Sequence, residues 1–168
     1  MSSDDEGDVA LRELYAACYS RLVRVVGAVA GDRDAAEEAV QEAFIRLIGQ
    51  WGSVSRYDDP EAWLRKVAFG FLSNRRRKIG NGARALIRHG GGADSAPPPS
   101  ADRVDLERAL QALPIAQRQV LVLVHVVGLG VDAAADELGI PVGTVKSRLA
   151  RGRAALAPLL REGVPDHA

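Results

Sequence analysis

The sequence has few of the residues that build disulfides and metal sites. Its single cysteine, Cys18, excludes an intramolecular disulfide and any multi-cysteine zinc site, and it is expected to be a small buried residue. The three histidines are too scattered to suggest a metal cluster, and His125 is expected to pack within an apolar run. We therefore expect neither a metal nor another cofactor.

Long apolar runs are also missing. No uninterrupted apolar stretch approaches about 18 residues, the length that a membrane-spanning helix needs. The sequence starts with the acidic segment MSSDDEGD and no apolar core follows it, which argues against a secretory signal peptide. The protein is therefore expected to be soluble and cytoplasmic, without membrane insertion.

Charge is segregated along the chain although the formal net charge is zero. Residues 1–62 hold six arginines against thirteen acidic residues, whereas residues 63–92 hold eight cationic residues and no acidic one. A protein that only coated DNA would be basic throughout. The acidic first third therefore indicates a second kind of partner.

Helical periodicity predicts an all-α protein with two small domains. Apolar residues recur at helical spacing, and no segment alternates with the period of a strand. The predicted helices span residues 9–30, 33–49, 60–78, 104–113, 115–127, 131–138 and 142–160, with a loop over 51–59. Residues 80–101 are rich in Gly, Pro, Ser and Ala, which predicts a flexible linker. The expected boundaries are a disordered N-terminus (1–8), a first domain (9–79), a linker (80–102), a second domain (103–161) and a disordered C-terminus (162–168).

The run GIPVGTVKSRLARGR, residues 139–153, predicts the second helix of a helix-turn-helix unit. VDAAADELG, directly before it, supplies the first helix, and Pro141 suits the start of the second. The stripe expected to face the domain is Val145, Leu149, Gly152 and Leu156. Small and cationic residues on the other sides suit a DNA groove. The candidate DNA contacts are Thr144, Lys146, Ser147, Arg148 and Arg151.

The alternative for this run is a solvated basic face on an ordinary packing helix. Residues 140–161 hold five cationic residues and no acidic one. Solvated helices usually mix the two signs, which counts against that alternative.

The second predicted helix has an apolar side and an acidic side. The apolar residues are Ala36, Val40, Ala43, Phe44 and Leu47. The opposite side gathers Asp34, Glu38, Gln41, Glu42 and Ile45. An exposed isoleucine among acids is typical of a protein-binding face, and the alternative is a solvated acidic helix.

The third predicted helix carries the other basic region. Its expected buried side is Leu64, Val67, Ala68, Phe71 and Leu72. The other sides are expected to offer the donors Arg65, Lys66, Ser73, Asn74, Arg76, Arg77 and Lys78, with Phe69 among them. Cations that follow phosphates, with a ring that stacks on an unpaired base, suit single-stranded nucleic acid. Trp51 and Tyr57, in the preceding loop, suit a pocket for an extruded base, and the alternative is that Trp51 anchors the core. The candidate contacts are Trp51, Tyr57, Lys66, Phe69, Asn74, Arg76 and Arg77.

Three motifs together resemble the extracytoplasmic-function group of RNA polymerase sigma factors, in the sigma-70 family. They are DAAEEAVQEAF (residues 34–44), PEAWLRKVAFGFLSNRRRK (60–78) and LPIAQRQVLVLVHVVGLGVDAAADELGIPVGTVKSRLARGRAAL (113–156). Their order and spacing around a flexible linker are specific. The resemblance implies that the first domain is sigma region two and the second is sigma region four. The sequence departs from the family where Ala68, Phe69 and Gly70 replace the common Ala-Arg-Asn.

The resemblance also implies a partner for each motif. The helix at 34–44 would dock on core RNA polymerase, through Asp34, Glu38, Gln41 and Glu42. The helix at 60–78 and the loop before it would bind the minus-ten element and capture bases of the melted non-template strand. The helix at 142–153 would read the minus-thirty-five element in double-stranded promoter DNA. Members of the group are commonly held inactive by an anti-sigma factor, which is a further partner that the resemblance suggests.

The implied function is recruitment and not catalysis. Two promoter readers on one polymerase raise the effective concentration of each for its site. The alternative is a two-domain helix-turn-helix regulator that binds an operator, which would leave the basic third helix without a role. An enzyme acting on nucleic acid finds no support, because the sequence shows no clustered acids, nucleophile or metal ligands.

Overall fold

The computed structural model describes residues 3–81 and 101–162, and the side chains within 5–80 and 105–161. Every regular element in these ranges is helical, which confirms the all-α prediction. The elements are α1 (Ser3–Ala30), α2 (Arg33–Val54), α3 (Pro60–Asn81), α4 (Ala101–Gln111), α5 (Ile115–Val122) with a π-helical turn (Leu123–Val127), α6 (Val131–Leu138) and α7 (Val142–Glu162). Residues 82–100 of the predicted linker and residues 163–168 lie outside the described residues.

Several helix ends differ from the prediction. Residues 3–8, predicted to be disordered, are helical, and Asp5 and Glu6 near the start favour the helix through its dipole. α2 continues through residues 51–54 of the predicted loop because Val54 is fully buried at its last turn. α3 ends at Asn81 and α4 begins at Ala101, so both helices extend into the predicted linker.

The chain forms two compact units. The first contains α1 up to Gly27, with α2 and α3, and the second contains α4 to α7 with the short stretch Ala28–Asp32. In the first unit the buried side chains come from all three helices and include Leu22, Val26, Val40, Leu47 and Leu64. The ring of Tyr15 stacks on Tyr19 at 4.7 Å between centroids and meets Phe44 of α2 edge-on at 4.9 Å.

The second unit buries apolar side chains of α4, α5, α6 and α7. Its core includes Leu110, Val120, Leu123, Ala134 and Val145. The sequence predicts one helix over residues 115–127, but the hydrogen-bond pattern widens to a π turn after Val122. None of the described helices combines the length and apolar character needed to cross a bilayer.

Candidate functional site

The turn between α6 and α7 fixes the helix-turn-helix geometry. Gly139 ends α6 with φ +65°, in the left-handed region that favours glycine. The Gly139 amide donates to the Asp136 carbonyl at 3.3 Å, and the Ile140 amide donates to the Ala135 carbonyl at 3.1 Å. These two bonds satisfy carbonyls at the end of α6 and turn the chain sharply. The sequence therefore placed this turn correctly.

α7 packs against the rest of its unit through the predicted apolar stripe. Val145, Leu149 and Gly152 are buried and Leu156 is half-buried. A Cβ at Gly152 would lie 2.8 Å from Cδ1 and 3.2 Å from Cγ of Leu121. The absence of a side chain at this position lets α7 lie close against α5.

The outer side of α7 holds the predicted DNA contacts. Lys146 and Arg151 are exposed, and Thr144, Ser147 and Arg148 are half-buried. The Ser147 hydroxyl donates to the Thr144 carbonyl at 3.1 Å, so it is held on its own helix. Within the described part of the chain no ion pair neutralises Lys146, Arg148 or Arg151. This surface is therefore positively charged and open to an anion.

His125 corrects a prediction and adds a contact that the sequence did not suggest. It was expected to pack in an apolar run, but its side chain is exposed on the π turn after α5. Arg153 of α7 donates to His125 Nε2 at 3.3 Å from Nε and at 3.2 Å from Nη2. The change from α-helical to π-helical spacing at residue 123 shifts which side chains face the core, and periodicity alone does not reveal it.

Asp59 and Pro60 set the start of α3. The Asp59 carboxylate accepts the Ala62 amide at 3.0 Å, which caps the helix, and Pro60 follows as its first residue. Arg65, which the sequence grouped with the basic donors by its charge, is 5% exposed and lies 3.5 Å from Asp59 and 3.6 Å from Glu61. It therefore stabilises the helix start from inside the unit.

The outer side of α3 carries most of the predicted nucleic-acid contacts. Lys66, Asn74, Arg76 and Arg77 are exposed. Phe69 is not, because it is 1% exposed, so the prediction of a ring available for stacking was wrong. Phe69 is as deeply buried as Leu64 and Ala68 of the same helix, and at about 100° per residue it falls on the flank of the stripe that they form.

The two aromatic residues before α3 lie in different surroundings. Trp51, predicted in a loop, belongs to the last turns of α2 and is half-buried, and its indole lies 3.6 Å from the place where a Cβ at Gly7 would be. It therefore packs against α1. Tyr57 is in the loop and is 51% exposed, so its ring is accessible to a ligand.

α2 presents the predicted acidic surface, formed by Asp34, Glu38, Gln41, Glu42 and Ile45. All but Glu42, which is half-buried, are exposed, and Ile45 is 62% exposed. Ile48, one turn further on, is 64% exposed and was not among the predicted residues. The spacing from Ile45 could have suggested Ile48. The surface therefore combines acidic groups with two accessible isoleucines, as a protein-binding face does.

Ion pairs hold two carboxylates of the acidic surface. Glu42 accepts from Nε of Arg46 at 2.9 Å, one turn away on α2. Glu38 is paired with Arg75, which belongs to α3. The Glu38–Arg75 pair therefore links the acidic surface to the basic end of the next helix.

Cys18 carries no reactive thiol. Its side chain is 1% exposed, which confirms the expected buried position. Burial, with a smaller contribution from the Glu61 carboxylate, raises the pKa of the Cys18 thiol to about 11, so the nucleophilic thiolate is scarce at neutral pH. Among the described residues, no three His, Cys, Asp or Glu side chains are grouped as a metal site would require.

Comparison with known families matches both units. Residues 14–81 match the family described as Sigma-70 region 2, and residues 103–156 match the family described as Sigma-70, region 4. The chain is 32% identical over 159 residues to the ECF RNA polymerase sigma factor SigM of Mycobacterium tuberculosis, covering 90% of this chain and 77% of that protein. It is 30% identical over 161 residues to the ECF RNA polymerase sigma factor EcfG of Rhodopseudomonas palustris, covering 89% and 84%.

Solved structures show the same fold. The sigma factor RpoE of Bartonella quintana, in complex with the anti-sigma factor NepR, aligns with a TM-score of 0.73 and 24% identity over 89% of this chain and 96% of that chain. CnrH, in complex with the cytosolic domain of CnrY, aligns with a TM-score of 0.61 and 25% identity over 92% and 90%.

Proposed function

Since the chain belongs to the extracytoplasmic-function group of the sigma-70 family, we propose that three of its surfaces each bind a different partner in transcription initiation. A protein of this family binds core RNA polymerase and directs it to promoters. The observation that carries the assignment to this chain is the pair of matches, to region 2 over the first unit and to region 4 over the second. The first unit brings an acidic and a basic surface to that function, and the second unit brings a basic one.

The acidic surface of α2 docks on core RNA polymerase. Its support is the exposure of Asp34, Glu38, Gln41 and Ile45, with Ile48 extending the apolar part. Buried area from the isoleucines provides affinity, while the carboxylates select a basic partner and speed its association.

The outer side of α3, with the loop before it, binds the melted non-template strand of the minus-ten element. Lys66, Arg76 and Arg77 neutralise phosphates, Asn74 offers an amide to a base or a phosphate, and the exposed ring of Tyr57 stacks on an unpaired base. Preferential binding of the unpaired strand shifts the equilibrium toward open DNA. Trp51, the other aromatic candidate, packs against α1 and is half-buried, so part of its ring is accessible to the strand.

The N-terminal half of α7 reads the minus-thirty-five element. Lys146 and Arg151 project outward, and Gly139 and Pro141 set the angle at which the helix enters the groove. Arg148, Thr144 and Ser147 flank these cations. The domain of α1 to α3 therefore serves polymerase and the minus-ten element, and the domain of α4 to α7 serves the minus-thirty-five element.

The chain supplies recognition and no chemistry of its own, and it acts where the polymerase is, in the cytoplasm. An operator-binding regulator, the alternative function, does not account for the region 2 match over residues 14–81.

A protein that covers one of the three surfaces is a further proposed partner, because CnrH is solved in complex with the cytosolic domain of CnrY. For this chain such a partner would act as an anti-sigma factor.

In vitro transcription tests the proposal. Purified chain and core RNA polymerase are incubated with a library of genomic promoter fragments, and transcripts with defined starts are expected only when both proteins are present. The variants K146A and R151A should weaken binding of minus-thirty-five duplex but retain polymerase in a pull-down. R161A, which removes an exposed cation near the end of the same helix, is the control. Absence of promoter-specific starts, or loss of polymerase in K146A or R151A, would contradict the assignment.

A further inference from the structure

Arg75 differs from the cations that follow it. Four consecutive cations, Arg75 to Lys78, lie near the end of α3 and are all exposed, and we call them the basic segment. Among the described residues, only Arg75 of these four is held in an ion pair, by the carboxylate of Glu38 on α2. The sequence offers no sign of this difference, since the four positions have equal charge.

The two members of the pair belong to different surfaces. Glu38 lies within the acidic surface proposed to dock on polymerase, with Asp34 and Ile45 one to two turns away on the same side of α2. Arg75 belongs to the basic segment beside the proposed minus-ten contacts. Consecutive residues are about 100° apart around a helix, so the four cations encircle this end of α3. A nucleic-acid strand passing it can reach the long Arg75 side chain.

The pair is accessible to competing ions. The side chain of Arg75 is 42% exposed and that of Glu38 is 55% exposed, so both charges stay hydrated and their mutual attraction is screened. Exposed ion pairs are weak enough to exchange partners. A cation of the polymerase beside Glu38, or a phosphate beside Arg75, would therefore compete with the pair directly.

We propose that the Glu38–Arg75 ion pair masks one charge on each surface of the free protein, and that it opens when polymerase and the minus-ten strand bind together. This inference rests on the proposed function of the two surfaces. Polymerase engaging Glu38 releases Arg75 for a phosphate, and a phosphate engaging Arg75 releases Glu38. Binding of the two partners is therefore cooperative, by the same factor in each direction.

Strand binding at several low salt concentrations tests the release of Arg75. The probe is a single-stranded minus-ten oligonucleotide, offered to the free chain and to its complex with core polymerase. R75Q should leave the affinity of the free chain for the oligonucleotide nearly unchanged. It should lower the affinity of the polymerase complex for the oligonucleotide about 1.5- to 5-fold, the range expected for one exposed ion pair. In the complex, R75Q should also make the negative slope of log affinity against log salt less steep by about 0.7, the value for one lost phosphate contact.

Matched variants separate the proposal from a general charge effect. R76Q removes the neighbouring cation, which has no ion pair among the described residues. It should lower the affinity for the oligonucleotide by the same factor in the free chain and in the polymerase complex. E38Q should strengthen strand binding by the free chain, whereas E42Q, which breaks the Glu42–Arg46 pair within α2, should not. In the R75Q background, E38Q should have no effect on strand binding.

Polymerase affinity provides the second readout. R75Q should strengthen binding of core polymerase about 1.5- to 5-fold, because Glu38 no longer has a competing partner. Equal weakening of strand binding by R75Q in the free chain and the complex would overturn the proposal, as would weaker polymerase binding by R75Q. Unchanged unfolding midpoints check that the variants are folded. Loss of promoter-specific transcription by the unmodified chain would instead count against the proposed function itself.

Discussion

The close approach of α7 to α5 at Gly152 predicts a loss of stability on substitution by alanine. The new Cβ would lie 2.8 Å from Leu121 Cδ1, and Leu121 is only 3% exposed, so it has little room to move. Overpacking of this kind costs about 1–3 kcal/mol. Alanine gains up to about 1 kcal/mol over glycine inside a helix. Subtracting a helix gain of about 1 kcal/mol from this packing cost leaves an expected net loss for G152A of about 0–2 kcal/mol.

Gly143 of the same helix provides the matched control. A Cβ at Gly143 would meet no atom within 4 Å, so G143A should gain helix stability of about 0.5–1 kcal/mol without a packing cost. The difference between the two variants isolates the packing cost. If α7 rests on α5 as closely as the structure has it, that difference should be about 1–3 kcal/mol.

Amide hydrogen exchange is the suitable measurement. All aromatic residues lie between positions 15 and 71, so fluorescence reports on the first unit alone. Exchange of peptides from α5 and α7 in the full chain reports the opening free energy of the second unit directly. Stabilisation by G152A, or equal shifts in G152A and G143A, would refute the reasoning because either result requires space above Leu121.

The remaining predictions concern the first unit. F69A should destabilise it by about 3–5 kcal/mol in urea unfolding followed by tryptophan fluorescence, because the ring is fully buried; an unchanged midpoint with weaker strand binding would place the ring on the surface. D59A should cost about 1 kcal/mol or more, since it removes the cap of α3 and a partner of Arg65, whereas D58A, at the exposed neighbouring position, should cost little; equal effects would argue against the cap. The Cys18 thiol should react with a thiol reagent at pH 8 only as fast as the protein opens, and rapid labelling in native conditions would contradict its burial. Because its pKa is raised from 9.0 to about 11, the unfolded thiol ionises first, so its contribution to stability is complete below pH 9 and is lost as pH rises to about 11.

The helix-turn-helix could be predicted almost completely from the sequence. Gly139 and Pro141 have local conformational preferences that tertiary packing does not override, and α6 spans residues 131–138 as predicted. The stripe from Val145 to Gly152 is buried as its spacing requires. Such features depend on neighbours in the chain, which the sequence displays directly.

Phe69 shows where periodicity was insufficient. Its predicted phase put it among polar residues, but α3 buries Phe69 together with Leu64, Ala68 and Leu72, whereas Val67 and Phe71 of the predicted stripe are only half-buried. The buried sector of α3 is therefore rotated toward Phe69 from its predicted position. Arg65 illustrates the same limit. Its charge suggested exposure, yet Asp59 and Glu61 at the helix start compensate it inside the unit.

By itself, the sequence determined the helical class, the turns, the charge of each segment and the family to which they belong, because these depend on residue type and local spacing. Tertiary structure decided that Arg75 is the paired cation of the basic segment, that the ring of Phe69 is buried, and that a side chain at Gly152 would clash with Leu121. Each of these depends on how far one helix lies from another. Contacts across helices, such as Glu38 with Arg75, join residues distant in the chain, and local pattern does not encode their separation in space.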